Sequence, residues 1–338
     1  ITNKTIQPFM SFGKMPIANG FIEKKNFSGE FFFNMEVGFN DELSLFQLND
    51  HPKPEKMFNQ NYPFFTGSSE YMKTHFKKYA DFAKKYIKFN SKIIEIGSND
   101  GTFLKNFDIK SHKILGFEPS KNVADVSIKN GIPTLNSFFN KENVVNLKEY
   151  LGQTDLICAS NVICHVPDLN NLIEAVNLLL SSDGTFIFEE PYLGSMFEKV
   201  SYDQIYDEHI FMFSASSVSK IFKRFDFKLI DAIPQDTHGG SMRYIIKRNR
   251  HEINQTLKKI IDFEDKQKIN SPESCLNFKK NCEISKEKIS NKIKSFKNEG
   301  KSICGYAATS KSTTVLNYCN IGNDHIDFIC DTTKEKIG

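Results

Sequence analysis

The sequence predicts an α/β protein: an open, mostly parallel central sheet, a small β-rich module before it, and the start of a second α/β unit after it. Three observations carry this. Between Lys92 and Pro191, short apolar runs (KIIEI, KILGF, DLICAS, TFIFEEP) alternate with helical spacing, the pattern of parallel strands joined by crossover helices. The first 70 residues instead hold strand-like clusters broken by Pro8, Pro16, Pro52, Pro54 and Pro63. After Gly300 the strand–turn–helix pattern begins again in SICGYAATSKSTTVLNYC, followed by HIDFICD.

In chain order, Glu30–Leu48 carries apolar clusters on either side of a turn at Asn40–Asp41. From His75 to Phe89, Phe76, Tyr79, Ala80, Ala83 and Ile87 recur at helical intervals with lysines between them. KIIEIGSNDGTFLKNF reads as a strand, a Gly-flanked polar turn and a new helix. KILGFEP, DLICASN, a helix over Leu169–Leu180 and the strand GTFIFEEP continue the alternation. A helix over 215–225 precedes FKLIDAIPQ and SMRYIIKR, a closing antiparallel pair. Residues 250–299 are rich in Lys and Glu with sparse apolar positions, and predict two solvated connecting helices separated at Pro272. The division expected is an N-terminal module over 1–70, a central α/β domain over 71–249, and a helical connector with the start of a C-terminal α/β domain over 250–338. A βαβ unit alone makes a poor domain, so the chain is expected to continue beyond Gly338.

The composition narrows the function. Forty-four basic against 41 acidic residues leave a formal charge of +3, too near balance for a protein built on a basic field, and no nucleic-acid partner is expected. No apolar run approaches the ~18–20 residues of a membrane span, and ITNKTIQPF lacks the features of a signal peptide, so a cytoplasmic protein without a membrane partner is expected. The cysteines at 158, 164, 275, 282, 304, 319 and 330 include no C-x-x-C, which argues against disulfides and structural zinc. The 32 phenylalanines with no Trp read as core filler.

The strongest local signal is Glu95–Ile–Gly–Ser–Asn–Asp–Gly101, a strand that ends in a glycine turn where a ligand can approach the backbone. Glu118, at the end of the next strand, is placed to take both hydroxyls of a ribose. The loop lacks the middle glycine of G-x-G-x-x-G, which disfavours a pyrophosphate and favours a nucleoside without phosphates. S-adenosylmethionine (SAM) fits, with its ribose on Glu118, its methionine end near Gly97–Gly101 and its amino group on Asp100. Ser98, Pro119 and Asn161 join this candidate set. A dinucleotide, or a purely structural turn, remains the alternative.

Among the histidines, His51, His75, His112, His251 and His325 fall in loops or on charged segments and read as surface or packing residues. His165, His209 and His238 each follow a strand, in the loop cluster where a doubly wound sheet binds its ligands. Tyr206–Asp207–Glu208–His209 places a phenol, two carboxylates and an imidazole within four residues, and an adjacent carboxylate can fix an imidazole's tautomer.

These segments together resemble the SAM-dependent C-methyltransferases that act on nucleotide-linked keto-sugars. FGKMPIANGF and YPFFTGSS resemble that family's N-terminal module, and EIGSNDGTFL its SAM loop. NVICHVPDL, EEPYLGSMFEKVSYDQIYDEHIFMFS and THGGSMRY resemble its catalytic segments, and GYAATSKSTTVLNYCNIG the start of its C-terminal domain. The family's four zinc-binding cysteines are missing: Asn40 and Leu43 stand where one pair is expected, and no metal is carried over. The resemblance implies a Rossmann-like methyltransferase core, SAM as cofactor with S-adenosylhomocysteine as product, and a nucleotide-sugar substrate. It further implies methylation of a 4-keto deoxysugar through an enolate at C3. His209 would be the base, with Glu208 its orienter or a ligand of a sugar hydroxyl. Tyr206, His165 and Tyr62 would lie around the sugar as donors. The turn Gly305–Lys311 is expected near the nucleotide diphosphate. An oxygen or nitrogen acceptor, or a non-catalytic binding protein, is the competing reading.

Overall fold

The computed structural model describes residues 6–60, 62–333 and 336; Gly338, beyond which the chain is expected to continue, lies outside them. Its strands in chain order are β1 (Pro8–Pro16), β2 (Phe32–Asn40), β3 (Leu45–Leu48), β4 (Lys92–Ile96), β5 (Lys113–Phe117), β6 (Thr134–Leu135) and β7 (Thr154–Ser160). There follow β8 (Leu180–Pro191), β9 (Phe211–Met212), β10 (Phe227–Gln235), β11 (Ser241–Arg248), β12 (Cys304–Tyr306) and β13 (Phe328–Cys330).

The central sheet runs β10-β11-β8-β7-β4-β5-β6, parallel from β8 to β6 and antiparallel where β11 joins β8 and β10. Ile93, Ile94, Leu156, Ile157, Phe186 and Ile187 are fully buried, as strands covered on both faces must be. From β4 the chain steps outward through β5 and β6, then returns to lay β7 on the other side of β4. That reversal opens a crevice at the carboxyl ends of β4 and β7. The two loops touch there: a Cβ on Gly97, whose φ is +65°, would sit 2.3 Å from Val162 Cγ2. Phenylalanine fills the core as expected; Phe186, Phe188 and Phe222 interleave at 5.2–5.9 Å between ring centroids.

Three expectations are corrected. No α-helix follows the turn after β4, only a single 3-10 turn at Leu104–Asn106. Asn99 and Gly101 hold positive φ, and the Asn106 side chain folds back onto the Thr102 and Phe103 carbonyls, so the segment is spent on turns. The helix Gln255–Lys266 is not merely solvated. Glu264 is completely buried and accepts hydrogen bonds from Ala215 N (2.7 Å), Ser216 N (2.9 Å), Tyr192 Oη (3.0 Å) and Asn270 Nδ2 (3.1 Å). It thereby supplies partners to the free N–H groups that open the helix Ala215–Lys223. The long helix Pro272–Asn298 likewise buries Cys275, Phe278 and Cys282 against the N-terminal sheet.

The N-terminal sheet runs β1-β2-β3-β9, so its last strand comes from the middle of the chain. Phe46 pairs with Met212 and Gln47 with Phe211, and Leu48 N donates to Ile210 O at 2.8 Å. The C-terminal helix Ser310–Tyr318 docks beside this sheet, where Thr314 Oγ1 donates to Ile205 O (2.7 Å) and Thr313 Oγ1 to Ala18 O (3.2 Å). β12 and β13 form a separate parallel pair. No described helix is long and apolar enough to cross a membrane.

Glu264→Ala leaves the Ala215 and Ser216 N–H groups buried without a partner, and is expected to cost on the order of 2–4 kcal/mol. Thermal melting followed by circular dichroism checks it. An unchanged midpoint would show that the carboxylate is dispensable.

Candidate active site

A cavity of ≈ 690 Å³ occupies the crevice, and two sets of predicted residues line it. Gly97, Glu118, Pro119 and Asn161 form one wall; Tyr62, His165, Tyr206, Glu208 and His209 form the other. The structure therefore brings both sets together around one space.

The first wall is built by the strand ends. Glu118, just past β5, is buried, with Oε2 accepting from Asn99 N (3.0 Å) and Oε1 from Ser120 N (2.8 Å). Burial raises its pKa above the ordinary carboxylate value against these lowering hydrogen bonds. Asn161, in a left-handed backbone conformation after β7, keeps a buried Oδ1 with no partner. Phe138, Phe139 and Asn140 extend this wall. A buried carboxylate at a strand end, an unpartnered amide oxygen and a backbone without Cβ suit a ribonucleoside with a polar tail, so these residues fit SAM.

Ser98, Asp100 and Gly101 lie behind the wall rather than on it. Ser98 packs against Gly116, where a Cβ would come within 2.3 Å of its Oγ. Gly101 packs on Ile132 and Ser127. Asp100 is the substantive correction. Its Oδ2 accepts from Gly67 N (2.7 Å) and its Oδ1 from Thr102 N (3.2 Å) and Oγ1 (2.7 Å). Together with Asn99, which accepts from Thr66 N at 2.8 Å, it fastens the N-terminal segment to the loop instead of presenting a carboxylate to an amino group.

The second wall centres on His209. Its Nδ1 lies 2.8 Å from Gln204 O, and a carbonyl only accepts, so Nδ1 carries the proton. Nε2 is left as the basic nitrogen, and the Tyr206 hydroxyl donates to it at 2.7 Å. Burial holds the His209 pKa well below the ordinary imidazole value. The tautomer is thus fixed by a main-chain carbonyl, not by the adjacent carboxylate expected. Glu208 turns away and accepts from Asn19 Nδ2 (2.7 Å) and Tyr62 Oη (3.3 Å). Asp207 accepts from Ala18 N at 3.1 Å, and burial together with Glu208 pushes it up to about 8.

His165 stacks between Phe58 (ring centroids 5.5 Å) and His209 (5.3 Å), its Nε2 buried without a partner and its pKa pushed by burial down to about 3. His238 also lines the cavity, lowered to about 4 by burial, with its carbonyl accepting from the Gln204 side chain. Lys311 reaches the same space from the C-terminal helix, its pKa lowered by burial. His75 is not a surface residue. It bonds Glu189 at 2.6 Å, which bonds Arg243 Nε at 2.7 Å, and these partners outweigh burial to hold Glu189 below the ordinary range.

The sequence reading did not find Asn19, Phe58 or Gln204 in this site. Asn19 stands within the quoted run FGKMPIANGF, which was a usable signal; Gln204 acts through a carbonyl, which leaves none.

Comparison with known proteins places two methyltransferase segments along the chain. Residues 69–232 match the family model described as a methyltransferase domain, and residues 236–338 that described as a C-methyltransferase C-terminal domain. Over 334 residues, 97% of this chain and 79% of the relative, it is 26% identical to C-methyltransferase NovU of Streptomyces niveus. Among solved structures, the PH0226 protein of Pyrococcus horikoshii OT3 aligns with TM-score 0.45 and 13% identity, covering 59% of this chain and 100% of that one. The CurJ carbon methyltransferase aligns with TM-score 0.40 and 12% identity, over 52% and 54% of the two chains. With a Rossmann-like core and a cavity wall suited to SAM, the chain is a SAM-dependent methyltransferase, similar along its two matched segments to C-methyltransferases.

Proposed function

We propose that the chain methylates C3 of a nucleotide-linked 4-keto deoxysugar through an enolate. The observation that carries the reading is the His209 tautomer: a neutral imidazole, protonated on Nδ1 and basic at Nε2, on the wall of a cavity shared with the cofactor residues. Carbon is a nucleophile only after a proton leaves a position next to a carbonyl, and a 4-keto sugar offers that position at C3. As substrate enters, the Tyr206 O–H turns from Nε2 to the ketone oxygen. The C3–H bond then breaks, its proton goes to the freed His209 Nε2, and the electron pair moves to the ketone oxygen. Gln204 O keeps Nδ1–H in place as the imidazole becomes cationic. Tyr206, His165 and Tyr62 are the groups available to hydrogen-bond the enolate oxygen and the sugar hydroxyls, which separates base from stabiliser. The enolate carbon is thereby made the nucleophile for a methyl group that bound SAM would supply, with S-adenosylhomocysteine as the product. Glu118, Asn161 and the Gly97 backbone would hold SAM, which supplies an electrophilic methyl group.

Lys311 is the cation proposed to meet the diphosphate. It lines the cavity close to Thr309 and Ser310, at the start of the helix Ser310–Tyr318. The side chain of Lys336 reaches the same rim but is engaged with Ala308 O at 2.6 Å, which leaves Lys311 the freer of the two.

Glu118→Ala is expected to weaken S-adenosylhomocysteine binding by about 10–100-fold in a calorimetric titration, the loss of one or two charged hydrogen bonds. His209→Asn should lower kcat by on the order of 10²–10⁴ with that binding intact. With a 4-keto sugar nucleotide in deuterated water, the wild type should exchange deuterium into C3 and the variant should not. Turnover without exchange would instead indicate an oxygen or nitrogen acceptor. The base acts unprotonated and its pKa lies below the ordinary 6.5. Activity is therefore retained as pH falls through 6.5 and lost only as it falls through the lower folded value; an acid limb in kcat/KM at or above pH 7 would remove His209 from the role. Lys311→Ala should raise KM for the nucleotide-sugar and flatten its salt dependence, and an unchanged salt profile would discard the diphosphate contact.

A further inference from the structure

The 3-10 turn Ile163–His165 places a thiol and an imidazole against the catalytic base. Ile210 N donates to Cys164 O at 2.9 Å, which fixes this turn beside His209. One ligand atom each from Cys164, His165 and His209 lie within 4.8 Å of one another. The two imidazole rings are stacked at 23° between planes, and His165 Nε2 is sealed from solvent with no hydrogen-bond partner. One thiol and two imidazoles are a soft donor set of the kind zinc takes, with the fourth tetrahedral position left to water or substrate. Bond lengths of about 2.3 Å to sulfur and about 2.0–2.1 Å to nitrogen put tetrahedral donors about 3.4–3.6 Å apart, so the three side chains need to close by roughly 1 Å.

We infer that Cys164, His165 and His209 form a site for a zinc-class cation that switches the enzyme off by occupying its base. The cation is an inhibitor, not a resident cofactor. To bind His209 it must displace either the Tyr206 hydroxyl from Nε2 or the proton shared with Gln204 O from Nδ1. Metal on Nε2 occupies the lone pair that accepts a proton from substrate, and metal on Nδ1 sends the proton to Nε2, so either exchange leaves no free base. The Cys164 thiol gives up its proton to solvent as the metal–sulfur bond forms. The site stands on side-chain geometry and its uptake is measured without turnover, while the inhibition rests on the reading of His209 as the base.

The test uses the full chain with the exposed Cys304 and Cys330 replaced by serine, its fold checked by S-adenosylhomocysteine binding. Titration with Zn²⁺ should show one equivalent bound per chain, and Cys164→Ser in this background should weaken it by about tenfold or more. Co²⁺ in place of zinc should give a thiolate-to-metal charge-transfer band that Cys164→Ser abolishes. Methyl transfer should fall as zinc fills the site and return on chelation. Absence of zinc uptake, equal affinity in the Cys164→Ser chain, or a cobalt spectrum without the thiolate band would each overturn the site. Should Cys164→Ser fail to fold, the cobalt spectrum of the background chain decides alone.

Discussion

The pairing of two residues, Phe211 and Met212, with Phe46 and Gln47 is the constraint on which the site depends. It makes the segment that leaves the loop carrying His209 the edge strand of the N-terminal sheet, so neither can move without the other. Everything on the substrate side then follows by short connections. Asp207 meets Ala18 N, Glu208 meets Asn19 and Tyr62, and the loop's own carbonyl at Gln204 turns His209. The cofactor side depends on a different constraint, the strand-order reversal between β4 and β7, and is stapled to the N-terminal segment through Asn99, Asp100 and Asn122, whose Nδ2 donates to Tyr62 O at 2.9 Å.

Desolvation dominates the electrostatics of the cavity. It lowers His165, His209 and His238 and raises Glu118, Asp207 and Glu208, in each case disfavouring the charged form. Such a pocket stabilises little charge at rest. A reaction that creates an imidazolium and an enolate side by side generates an ion pair whose members are each other's best partner in a medium of low polarity.

The architecture was legible where the signal was local. The apolar runs that became β4, β5, β7 and β8, the acid ending β5, and the histidines after the strands were all visible in the chain. What was not legible depended on distant contacts or on main-chain atoms. Glu264 looks like one more charge on a polar helix until Ala215 and Ser216, some fifty positions earlier, turn their N–H groups onto it. Asp100 sits in the loop where a ligand carboxylate is wanted, yet Gly67 reaches it first. The helical spacing after β4 was real as burial of Phe103, Leu104 and Phe107, but turn residues used up the length a helix needs.

The hydroxyl of Thr313 bonds a carbonyl 295 positions earlier, and its neighbour Thr314 bonds Ile205 O in the loop that carries His209. During synthesis the chain emerges from its N-terminus, so the cofactor wall, drawn from residues 97–161, is complete while the substrate wall still lacks its support. A nascent chain can therefore close its cofactor wall well before the loop that carries His209 is buttressed, since that support waits for Thr313 and Thr314.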